Sequence, residues 1–149
     1  MILSLPWLLA SVIIYNVIVF LFGPDKADPV TGQFDPSVVF NEVLFQVPML
    51  SNATWSFTLG DLIIIFSLAL LFMEILKATR TGGNSLVDHS LSTLVFVVCL
   101  IEFLTVREAA TSVFFIIMMI CLIDVIAGFS VTIRAARRDL NVGAGLPTH

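Results

Sequence analysis

Glu74, Glu102 and Asp124 each interrupt a long apolar stretch, and an ionised side chain inside a bilayer costs on the order of 2.5 to 3.5 kcal/mol on insertion scales. Acids in such a setting can do one of two things. Buried carboxyls can exchange protons near neutral pH, so acids at staggered depths can relay protons or bind a cation. Alternatively they are protonated or hydrogen-bonded, through partners such as Ser11, Ser67, Ser92 and Thr132, and hold helices in register. With a helical rise of about 1.5 Å per residue, Glu102 falls roughly 9 Å to the outer side of the midplane, Asp124 roughly 2 Å and Glu74 roughly 10 Å to the inner side. Glu74 can snorkel toward the interface beside Lys77. Glu102 and Asp124 are therefore the more telling pair.

Other chemistry is sparse. Cys99 and Cys121 lie at similar depth in successive apolar stretches and can be neighbours. Buried thiols ordinarily behave as small hydrophobes, and redox work needs solvent access and thiolate character. The histidines are His89, at the edge of an apolar stretch, and His149. No haem, other cofactor or metal constellation is expected from them. The sequence contains no Ser/His/Asp arrangement, phosphate-binding glycine loop or base-reading motif. The net charge is -4, with basic residues clustered only from Arg134 to Arg138, and nucleic acid is not the expected partner. These observations point away from an enzyme.

The elements that carry the acids are membrane helices. The chain has 149 residues, 58% hydrophobic and 12% charged, against a usual charged share of about 25%. Leu5 to Phe22, Leu59 to Leu76, Leu86 to Val106 and Ser112 to Ile133 are each about as long as a bilayer crossing requires. The expected fold is all-α, a polytopic four-helix membrane bundle forming one domain over residues 1–149. The first span has no preceding Lys or Arg and is followed by Phe20-Leu-Phe-Gly-Pro24. It reads as a retained helix, not a removed signal peptide. Small and polar residues recur at helical spacing as Gly60, Ser67 and Glu74, as Asp88, Ser92, Cys99 and Glu102, and as Cys121, Asp124 and Gly128. Such stripes face neighbouring helices in lipid.

Local punctuation supports these boundaries. Thr58 with Asp61, Ser85 with Asp88, and Thr105 with Glu108 have capping-box spacing at the expected span starts, and Gly82-Gly83 breaks the second span from the third. Lys77 and Arg80 follow the second span, and Arg134, Arg137 and Arg138 follow the fourth, whereas the loop 24–58 holds Lys26 alone. By the positive-inside rule both termini and the tail 134–149 are cytoplasmic, and the basic tail can also contact anionic lipid. The loop 24–58 is then external. Its second half, Asp35-Pro36 followed by Ser37 to Val47, reads as a short amphipathic helix lying in the interface or over the bundle mouth. Trp7 and Trp55 are interfacial anchors.

The segment from Leu122 through Ile-Asp-Val-Ile-Ala-Gly-Phe-Ser-Val-Thr-Ile-Arg-Ala-Ala-Arg-Arg to Asp139 resembles the C-terminal end of small uncharacterised four-span inner-membrane proteins of bacteria. That resemblance implies the location and brings no activity. Small multidrug transporters share the span count but depend on a first-span Glu, where this chain offers Ser11, Tyr15 and Asn16. The expected function is a non-enzymatic accessory or scaffolding subunit, a homo-oligomer or part of a larger membrane complex. The alternatives are a small oligomeric proton- or cation-coupled transporter or channel that uses the acids, and a holin-like pore former.

Overall fold

The computed structural model describes residues 5–23, 32–80 and 85–143, without the side chains of Arg80, Ser85, Leu86, Thr132 and residues 134–143. The Gly82-Gly83 break, the 24–31 part of the loop, and the side chains of Arg80, Ser85, Thr132, Arg134, Arg137 and Arg138 therefore lie outside the described residues. In chain order the elements are α1 (Leu8–Phe22), α2 (Ser37–Phe40), β1 (Val43–Pro48), β2 (Thr54–Thr58), α3 (Leu59–Arg80), α4 (Ser85–Thr105), a 3-10 turn (Arg107–Ala109) and α5 (Ser112–Gly143).

The described residues are mostly helical, and three helices among them are long and apolar enough to cross a membrane: Leu59–Thr79, Val87–Thr105 and Ser112–Val131. At 15 residues α1 is apolar but shorter. Two boundaries differ from the sequence expectation. The second helix runs to Arg80 instead of ending near Leu76, and α5 continues past Ile133 to Gly143. In both places good helix formers carry the backbone beyond the apolar stretch.

Several polar residues lie inside this molecule beside the apolar core, and many large apolar residues lie outside. Ser11, Ser67, Glu74, His89, Ser92, Thr111 and Asp124 are buried, while Leu62, Ile65, Phe72, Leu94, Ile101 and Ile126 are exposed. That distribution suits lipid, where an outward Leu costs nothing and an unpaired polar group costs several kcal/mol. The packing is uneven. The fifth helix touches both α3 and α4 extensively, whereas α1 leaves an apolar crevice of about 230 Å³ against α4, lined by Leu9, Val12, Leu94 and Val98. Gly60 permits the closest approach at one end. A Cβ there would stand 2.9 Å from Val113 Cγ2 and 3.1 Å from the Phe40 carbonyl oxygen.

The expected amphipathic helix from Ser37 to Val47 does not form, and the fold is not purely α-helical. Only Ser37–Phe40 is helical; Val43–Pro48 pairs antiparallel with Thr54–Thr58. The reason lies in the alternation. Phe45 faces Phe57 and Val47 faces Trp55 across the pair, and β-branched and aromatic residues at period two favour a pleated surface. The Phe45 and Phe57 rings stack at 4.6 Å, with Trp55 edge-on to Phe57 at 5.6 Å. Asn52 closes the turn at a φ of 62, a left-handed position that Asn tolerates. The Leu59 amide bonds the Glu42 carbonyl at 2.9 Å and clamps the hairpin base onto α3.

Candidate functional site

At the lower end of the bundle, where residues 5–7, the end of α3 and the start of α4 meet, a small polar cavity is lined by Glu74, Lys77, Ala78, Asp88, His89, Ser92 and Asp124. Its parts arrive from three helices. Glu74 and Lys77 share one face of α3 and form an ion pair at 3.1 Å. Glu74 Oε2 also accepts the Trp7 backbone N–H at 2.8 Å, so this carboxylate satisfies an orphan amide at the start of α1. From α4, Asp88, His89 and Ser92 fall within one turn, and Ser92 pairs with Asp124 of α5. Lys77 reaches the Leu5 carbonyl at 3.5 Å.

The sequence placed His89 at a span edge and gave it no role, but the imidazole is buried against α5. A Cβ on Gly128 would overlap the His89 ring, so glycine there is what admits the ring between the helices. The available signal was the pairing of a histidine one turn before Ser92 with a glycine one turn after Asp124. The cap expected between Asp88 and Ser85 involves a side chain outside the described residues. Asp88 Oδ1, like His89 Nε2, is buried without a hydrogen-bond partner among the described residues.

The three intramembrane acids do not gather in one place. Asp124 meets Glu74, not Glu102, because α5 packs on α3 as well as α4. Glu102 lies toward the other end of α4, half-buried, facing Asn16 of α1. Between these groups, small polar side chains pair with one another. Ser67 donates to the Ile63 carbonyl at 2.7 Å, so in its contact with Ser11 the Ser11 hydroxyl is the donor. Cys99 and Cys121 lie thiol to thiol, both buried.

The upper end is built around Tyr15, whose hydroxyl donates to the Glu108 carbonyl at 2.9 Å and accepts from Thr111 Oγ1 at 2.6 Å. Thr111 in turn accepts the Phe114 amide at 3.1 Å and is the N-cap of α5. The expected Thr105–Glu108 capping box is therefore corrected. Thr105 ends α4, its hydroxyl bonding the Ile101 carbonyl at 2.7 Å, and Glu108 belongs to the 3-10 turn. At the start of α3 the Thr58 amide and hydroxyl each reach Asp61 Oδ2 at 2.9 Å, and the Asp61 amide returns to Thr58 Oγ1 at 3.2 Å. Arg107 places its guanidinium 4.4 Å over the Phe34 ring.

Among the described residues, no group of three or more His, Cys, Asp or Glu side chains could hold a metal ion. Comparison with family models, curated proteins and solved structures returns no match to this chain.

Proposed function

We propose that the chain is a four-span, non-enzymatic scaffold of the bacterial inner membrane, with both termini cytoplasmic, working as an oligomer or as an accessory subunit of a larger complex. The observation that carries this reading is a run of polar ties between helices down the bundle axis. Glu74 joins α3 to the start of α1, Ser11 joins α1 to α3, Ser92 and Asp124 join α4 to α5, and Tyr15 joins α1 to the head of α5. Each tie satisfies a group that lipid cannot satisfy, and together they spend the interior polarity on register. As the fourth span, α1 (Leu8–Phe22) reaches about 22 Å at the helical rise, and residues 5–7 and Gly23 extend it toward the interfaces.

The outward surfaces fit the same role. The hairpin holds no charged residue from Val43 to Thr58 and exposes Phe45, Leu50 and Trp55; the half-buried Glu102 lies on the flank of α4. Helix association in lipid rests on packing and interhelical bonds of this kind. The test is extraction of the full chain in mild detergent, with size analysis and mass spectrometry of what co-purifies. A defined oligomer or stoichiometric partner is the expected result. An unaccompanied monomer, or a proton or sodium flux in proteoliposomes, would overturn the reading in favour of transport.

A further inference from the structure

We propose that the lower cavity is an aqueous inlet, a site that binds water between Asp88 Oδ1 and His89 Nε2 and connects Asp124, well inside α5, to the lower surface of the bundle. This goes beyond the scaffold reading, which assigns the cavity no ligand. Three observations converge on it. The cavity has a volume of about 10 Å³, which is room for about one water. Two polar atoms on its lining residues, Asp88 Oδ1 and His89 Nε2, are buried without a partner, and His89 is only 6% exposed. A buried water ordinarily makes about three hydrogen bonds to such groups, and it can donate to the Asp88 oxygen while pairing with the imidazole nitrogen.

The charges facing the cavity strengthen the case. From α3 come Glu74 and Lys77, from α4 Asp88 and His89, and from α5 Asp124, so three carboxylates stand against one ammonium. Glu74 is already engaged by Lys77 and the Trp7 amide. Asp88 and Asp124 have no cationic side chain bonded to them among the described residues, and water supplies donors that the neighbouring protein groups do not. Among the described residues no three His, Cys, Asp or Glu side chains come together to hold a metal ion here. Solvent is the ligand whose chemistry fits. The Tyr15 ring offers a reference, because its hydroxyl is already bonded at both ends within the protein.

The chain carries two histidines and one tyrosine, which gives the experiment its probes. In the full-length protein in lipid bilayers, with His149→Gln leaving His89 as the lone histidine, water-edited solid-state NMR reads magnetisation transfer from water to the His89 and Tyr15 rings. The expected result is fast transfer to His89 and slow transfer to Tyr15. Ala78→Leu, which fills the cavity from α3, is expected to abolish the His89 transfer while leaving the Tyr15 spectrum in place. Transfer to His89 as slow as to Tyr15 would overturn the proposal, as would transfer that survives Ala78→Leu in a folded protein. Should Ala78→Leu also disturb the Tyr15 spectrum, the comparison of the two rings in the parent protein decides the matter alone.

Discussion

At the upper junction the Tyr15 ring stacks on Phe40 at 4.6 Å and tilts against Phe114 at 4.8 Å, while its hydroxyl is fully engaged with Glu108 and Thr111. The lower junction collects more charge and satisfies less of it, leaving an oxygen of Asp88 and a nitrogen of His89 unpaired. Both junctions tie α5 to other helices, the upper to α1 and α2, the lower to α3 and α4. A neutral aromatic can fill space and bond with one hydroxyl, so every partner is met locally. A cluster of carboxylates around one lysine cannot be closed by protein groups alone. The upper end thus locks the bundle, and the lower end stays open to exchange.

The largest expected break of this contrast is Tyr15→Ala. Removing a fully buried aromatic from the upper lock costs about 3–5 kcal/mol, read as lost unfolding free energy in detergent or bicelles. The cost should exceed that of any single change in the lower cavity; an equal or smaller value would mean that the upper end is not the lock. Next comes Glu74→Leu, which strands the Trp7 amide and Lys77 and is expected to destabilise by about 1–3 kcal/mol. Glu74→Gln keeps an acceptor for the Trp7 amide and should recover most of that loss. If Gln and Leu are equally damaging in the same unfolding assay, the ion pair with Lys77 matters and the amide cap does not.

What could be read from the sequence follows the range of the interactions. Thr58 and Asp61 bond within one turn, so spacing sufficed there, and long apolar runs declared the helices from Leu59, Val87 and Ser112 directly. The run from Val43 to Pro48 was ambiguous because a short apolar stretch fits both a helical face and a strand; its partner Thr54–Thr58 decides the matter, and that pairing is tertiary. The capping signal at Thr105 misled for a related reason. A 3-10 turn occupies Arg107–Ala109, which moves the true cap from Thr105 to Thr111, and what marks Thr111 is its contact with Tyr15, 96 residues away. Depth along a helix orders the three acids along the bundle axis, but depth says nothing of direction. Facing is set by α5 packing on α3, and the admission of His89 beside Gly128 depends on the same contact.

The smallest effect is expected midway between the two junctions, where Ser11 of α1 donates to Ser67 of α3. Ser67→Ala removes the acceptor, and Ser11→Ala removes the donor. Ser67 also bonds the Ile63 carbonyl of its own helix, so its removal leaves that carbonyl with its intrahelical partner and strands only the Ser11 hydroxyl. Interhelical bonds of this type contribute about 0.6 kcal/mol on average in lipid, because the separated helices also find partners. A double-mutant cycle of the two alanine changes should therefore give a coupling near that value. A coupling of several kcal/mol would place a third lock at the centre of the bundle and remove the contrast between its ends, whereas zero would leave α1 held to α3 by its Tyr15 and Glu74 ends alone.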